Sequence, residues 1–238
     1  MPTRRVAVLQ SNYIPWKGYF DLIHDVDLFI FYDEVQFTKS DWRNRNRIKA
    51  ADGAQWLSIP TGTNVHQRIN EVELSNSAWQ NRHWRTLLMN YGKCKYFGIY
   101  REFFEHIYIG TVWRNLSELN QVLIRNISIE FLGIITEFSD SSLYPATGHK
   151  LDRLLGLLIQ TGATTYVSGP AAKSYIVPER FAKSGIELCW KDYRAYPEYP
   201  QRFPPFDHRV SILDLLFNVG PDAPRYIWGW RNTAGRAA

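Results

Sequence analysis

Sulfur is scarce in this chain: two cysteines and two methionines in 238 residues. Cys94 and Cys189 stand far apart with no CxxC spacing, which excludes a zinc-ribbon site and a disulfide framework. Long apolar runs are missing too, with no stretch near the roughly 18 residues that a membrane-spanning helix needs. The N-terminal MPTRRVAVLQSNYIPW holds only a four-residue apolar run, too short for a signal peptide, so a soluble, cytoplasmic protein is expected. The common chemical signatures are also absent. There is no GxGxxG dinucleotide fingerprint, no GxxxxGKS/T phosphate loop and no GxSxG nucleophile elbow. No HxxxH or HExxH pair occurs, so no metal is expected.

What the chain does have is aromatic surface. Phe, Trp and Tyr make up 15% of it, with nine tryptophans and fourteen tyrosines, side chains that suit clefts as well as cores. A 45% hydrophobic content supports a sizeable buried core. The net charge of +5 favours anionic partners, but the excess is modest and dispersed.

Hydrophobic patterning gives an alternating β/α order. Val6 to Leu9 reads as a buried parallel strand, YFDLIHDV as a helix, and residues 28–37, LFIFYDEVQF, as a second strand. A hairpin is expected around Asp52-Gly53, and INEVEL (69–74) reads as a further strand. Residues 79–130 read as two or three aromatic-rich helices inserted beside the sheet. ITEFSDSS, TTYVSG and ELCWKDY then read as strands alternating with helices, whose ends at Gly162, Gly185 and Gly220 carry the expected glycine. The expected fold is a three-layer, Rossmann-like α/β domain over residues 1–230, with a mostly parallel sheet of about five strands and a helical, aromatic-rich flanking layer. Residues 231–238, RNTAGRAA, read as a flexible tail.

Three segments can carry chemistry. The first is QSNYIPWKG, at the carboxyl end of the first strand, where open α/β sheets bind ligands. Gln10 and Asn12 supply amides, Tyr13 and Trp16 flat walls, Lys17 a cation, and Gly18 room at the helix start. Asp33 and Gln36 close the second strand, with Asp33 placed to act as a general base if it faces the cleft. The second segment, SDWRNRNRIKAADG (40–53), holds four cations, two amides and a tryptophan. If extended, it puts Arg43, Arg45, Arg47 and Lys49 on one face and Asn44 and Asn46 on the other. Arginine matches phosphate with bidentate geometry; the alternative is a charged hairpin edge. The third segment, TTYVSGPAAKSY, presents Ser168-Gly169 as an anion-binding turn, with Lys173 and Tyr175 close by. His149 opens the preceding helix and is one of six histidines that could serve as a base.

These same blocks carry a resemblance. QSNYIPWKGYFDLI, DLFIFYDEVQFTKSDWRNRNRIK, WLSIP, LDRLLGLLIQTGATTYVSGPAAKSYI and GIELCWKDYRAYPEYPQ resemble the WbqC-like family. The resemblance implies an enzyme of bacterial O-antigen or other surface-polysaccharide biosynthesis, with a glycine (aminoacyl) transferase role. It marks Gln10, Asn12, Tyr13, Asp33, Gln36, Arg43, Asn44, Asn46, Ser168, Gly169 and Tyr175, among others. The chain departs from the pattern in SGPAAKSY and QRFPPFDH, which touches substrate specificity.

The leading expectation is therefore an aminoacyl or acyl transferase acting on an amine or hydroxyl of a sugar. Asp33, Asn12 and His149 are its catalytic candidates. Gln10, Tyr13, Lys17, Gln36, Arg43, Asn44, Asn46, Ser168, Gly169, Lys173 and Tyr175 are its binding candidates, while Arg45 and Arg47 read as surface charge. The substrate is an anionic small molecule such as a nucleotide-sugar. No cofactor is identified beyond an activated donor, with a tRNA or carrier protein left open as its source. A nucleotidyl-transfer enzyme and a non-catalytic binder of nucleic acid or polysaccharide are the alternatives.

Overall fold

The computed structural model of the chain describes residues 3–64, 66–145 and 148–234. In chain order, β1 (Arg5–Leu9) leads into α1 (Lys17–His24) and β2 (Leu28–Phe31). A two-stranded hairpin follows, β3 (Arg45–Ala50) and β4 (Gly53–Ser58), and then the helices α2 (Ala78–Tyr91), α3 (Phe97–Glu105) and α4 (Leu116–Asn126). The second half runs β5 (Glu137–Asp140), α5 (Leu151–Gln160), β6 (Thr165–Ser168), α6 (Pro178–Lys183) and β7 (Glu187–Trp190). Helices α7 (Ile212–Val219) and α8 (Gly229–Ala234) complete it.

The five strands other than the hairpin form one fully parallel sheet in the order β5-β2-β1-β6-β7. Burial on both faces explains why β2 is the uninterrupted apolar run LFIF. Ala7, Phe29, Phe31 and Val167 point to the larger core, which α1, the α2–α4 layer and α7 cover. Val6, Val8, Leu28, Ile30 and Tyr166 point to the smaller core, under α5 and α6. This is the expected three-layer α/β architecture, Rossmann-like, with helices flanking a parallel sheet. The helical layer is aromatic where it meets the sheet: Phe217 of α7 touches Tyr91, Phe97, Tyr100 and Phe104.

Three boundaries differ from the sequence reading. Strand β2 stops at Phe31, opposite Asp140 at the end of β5, because beyond that point Asp33 turns inward to bind the backbone of β1's loop. INEVEL is not a strand: Ile69–Glu71 is a 3-10 turn, and the fully buried Ile69 and Val72, three apart, anchor it instead of alternating. Arg231, placed by the sequence in a tail, lies in α8 and bonds the buried carboxylate of Asp21; residues 235–238 lie outside the described residues. Among the described residues no helix is long and apolar enough to cross a membrane.

Candidate functional site

Strand order reverses between β1 and β6, so the chain leaves these two neighbouring strands toward opposite faces and opens a crevice at their carboxyl ends. The loop after β1 is built into that crevice under tension. Ile14, fully buried and β-branched, sits at φ +38°, a conformation that such residues seldom adopt. Its surroundings hold it there. The Asn46 amide donates to the carbonyls of Tyr13 (3.1 Å) and Ile14 (2.9 Å), Tyr13 N donates to Trp42 O (2.9 Å), and Ile212 N donates to Pro15 O (2.9 Å). Strain that neighbours over-determine is typical of positions whose geometry matters.

Across the crevice, Arg43 donates to Gln10 Oε1 (2.8 Å) and Asp41 Oδ2 (2.7 Å); burial raises the pKa of the Tyr175 hydroxyl, against the opposing charge of Arg43. Gly169 lies against Tyr193: an added Cβ would come 3.4 Å from its hydroxyl. Tyr193 in turn packs edge-on against Trp16, with ring centres 5.2 Å apart. Gln10, Arg43, Gly169 and Tyr175 thus share one edge of the sheet.

Beside this edge opens a cavity of about 250 Å³, lined by Asn12, Pro15, Trp16, Trp42, Asn46, Arg47 and Arg209. The Oδ1 atom of Asn12 and the Nε of Arg47 are buried without a hydrogen-bond partner among the described residues. A buried polar atom left unpaired costs about 1–3 kcal/mol, so a ligand that pairs them would recover that cost. Trp16 folds back over α1, and its ring would lie only 2.2 Å from a Cβ on Gly18. Gly18 therefore makes room for a cavity wall, where the sequence reading reserved it for a ligand.

Several expected ligand contacts serve the scaffold instead. Asp33, 1% exposed, accepts from Ser11 N (2.8 Å), the Ser117 hydroxyl and Gln121 Nε2 (3.3 Å). Burial raises its pKa and those hydrogen bonds oppose the rise. It fixes the start of the loop and does not face the cleft. Tyr13 is fully buried, its hydroxyl between His83 Nδ1 (2.8 Å) and Tyr108 Oη (2.6 Å). Lys17 is buried too: its ammonium reaches Pro197 O (3.3 Å) over the rings of Tyr196 and Tyr199, and burial lowers its pKa to about 8. Asn44 bonds Ile59 O (2.8 Å), and the buried Ser168 hydroxyl bonds Tyr166. Lys173 is exposed over the Trp190 ring, Gln36 is exposed and bridges to Arg68, and His149 is exposed ahead of α5.

Arg47, expected as surface charge, instead lines the cavity, as does Arg209; Trp56, on β4, packs against the guanidinium groups of Arg45 and Arg47. Trp56 was legible in principle, because a hairpin turning at Ala51-Asp52 pairs it with Arg47. Arg209 lies in an irregular loop with no pattern to mark it.

No solved structure matches the chain significantly. An uncharacterized protein of Mycobacterium tuberculosis is 45% identical over 226 residues, covering 94% of this chain and 97% of that protein. The WbqC-like protein family matches residues 10–226, from the amide that Arg43 holds to the last loop before α8. Over nearly its whole length, the chain belongs to the WbqC-like protein family.

Proposed function

We propose that this protein transfers an aminoacyl group, glycyl foremost, or another acyl group to an amine or hydroxyl of a phosphate-bearing sugar, in the assembly of a surface polysaccharide. The family resemblance supplies the reaction class. The cavity at the end of β1 is the observation that carries the site: Trp16 and Trp42 as flat walls, Arg47 and Arg209 as cations, and the unpaired Asn12 Oδ1. Sugar rings pack on indole faces, and guanidinium groups match phosphate oxygens.

In this reading Asn12 Oδ1 accepts the acceptor's N–H or O–H and orients the nucleophile. The nucleophile attacks the donor's acyl carbon, the new C–N or C–O bond forms, and the bond to the donor's leaving group breaks. The acceptor's proton passes to the donor's leaving group as the bond to that group breaks. Asp33 is a positioning residue, reached through Ser11.

The test is a transfer assay with phosphorylated amino sugars and glycyl donors of three kinds, thioester, tRNA ester and adenylate, with the amide product read by mass spectrometry. We expect Asn12→Ala to reduce turnover about 100-fold or more, the scale of losing a positioned polar contact in a transition state. Full turnover in Asn12→Ala would remove the site assignment. No product with any donor would remove the reaction class.

A further inference from the structure

Outside the cavity mouth two tryptophans sit together at the surface. Trp42, in the loop before β3, is 43% exposed, and Trp56, on β4, is 42% exposed. Their ring centres are 5.6 Å apart at an interplanar angle of 35°. The Arg45 guanidinium lies 4.2 Å from the Trp56 ring centre, and that of Arg47 lies 5.7 Å from it. One exposed indole is ordinary, but an adjacent pair bordering a cavity marks a binding surface. Hairpin stability does not call for it, since β3 and β4 already pair through six residues each.

The cavity and the pair adjoin one another. Asn12 and Asn46 line the cavity, Arg47 and Arg209 line it as cations, and Trp42 belongs both to its wall and to the exposed pair. Neither Arg45 nor Arg47 has a carboxylate within ion-pair distance among the described residues, while Arg209 has only a loose 3.5 Å contact with Asp207. A cavity with amides and guanidinium groups, bordered by an aromatic pair, offers complements to the sugar, diphosphate and base of a nucleotide-linked sugar. We infer that the Trp42–Trp56 pair is a stacking platform for the base of a nucleoside diphosphate whose phosphates lie on Arg47 and Arg209. This deepens the reading above, because it rests on the same cavity as the acceptor site.

Stacking uses the flat face that every base has, so the platform holds uracil and adenine alike. Titration calorimetry on the full chain with uridine diphosphate, adenosine diphosphate, uridine and inorganic pyrophosphate separates the parts. Both diphosphates are expected to bind within about threefold of each other, and uridine and pyrophosphate each at least tenfold more weakly. Trp56→Ala should weaken both diphosphates about tenfold, in the range of one lost base stack, and leave pyrophosphate unchanged. Trp56→Tyr should restore most of the loss, which separates stacking from a folding defect. Pyrophosphate binding as tightly as uridine diphosphate, or Trp56→Ala weakening both equally, would overturn the platform. A single-stranded oligonucleotide that outcompetes both diphosphates would overturn it in favour of a nucleic-acid surface. Transfer onto a sugar phosphate without any diphosphate binding would sink this inference and leave the transferase standing. Diphosphate binding with no transfer would do the reverse.

Discussion

Gly18 and Asp33 show how single residues set the site without touching a ligand. In Gly18→Ala the methyl group meets the Trp16 ring, so the wall must swing out. Alanine is the better helix former by up to about 1 kcal/mol, yet overpacking costs about 1–3 kcal/mol, so thermal melts should show a net loss. Diphosphate affinity should fall further than stability does. Asp33→Asn makes a separate prediction. Burial raises the folded pKa of Asp33, so its charged form weighs against folding at neutral pH and that penalty fades as pH falls through the folded value. The melting temperature of the wild type should therefore rise relative to Asp33→Asn between pH 7 and pH 4. A pH-independent difference would mean that Asp33 folds with an ordinary pKa.

Among the elements, the hairpin is the most legible in its backbone and the least legible in its side chains. A hairpin around Asp52-Gly53 was plain in the sequence, one residue off the Ala51-Asp52 turn, and so was the parallel sheet, because residues buried on both faces leave unbroken apolar runs. The roles of the two sides of β3 were not legible. Asn44 and Asn46 look like ligand amides, yet Asn44 bonds the Ile59 carbonyl and Asn46 those of Tyr13 and Ile14, which only the fold brings within its reach. Which way Asp33 faces is open in the sequence for the same reason: nothing local reveals that Ser117 and Gln121, on α4, close over it. Helix α2 brings a further test. His83 is buried, its Nδ1 2.8 Å from the Tyr13 hydroxyl and its Nε2 3.2 Å from Ser58 O, with its pKa lowered to about 4 from 6.5 by burial. A neutral imidazole donates to Ser58 and accepts from Tyr13. The unfolded chain takes up this proton first, so the contribution is complete above pH 6.5 and lost as pH falls toward 4. His83→Gln should flatten that part of the stability profile, measured by denaturant unfolding at each pH.

For the whole molecule, segments far apart in the chain converge on one buried carboxylate. Asp21 in α1 meets Lys191 after β7 (2.8 Å), Arg231 in α8 and the Tyr196 hydroxyl. The Lys191 side chain is 4% exposed and that of Arg231 33%. Removing one partner of a buried ion pair costs about 3–5 kcal/mol, and screening reduces the cost for an exposed partner. Lys191→Met should accordingly destabilise the protein by about 3 kcal/mol in urea unfolding, and Arg231→Gln by clearly less. Equal losses would mean that the C-terminal helix carries as much of the fold as β7 does.

The Asn46 amide joins two parts of this molecule that the chain keeps more than thirty residues apart. Its side chain grips the twisted loop at Ile14 while its backbone belongs to the hairpin that carries Trp56. Hairpin and loop are thus buttoned together through one amide. Asn46→Ala would undo both fastenings at once, and Ile14, no longer clasped, would be free to leave its positive φ.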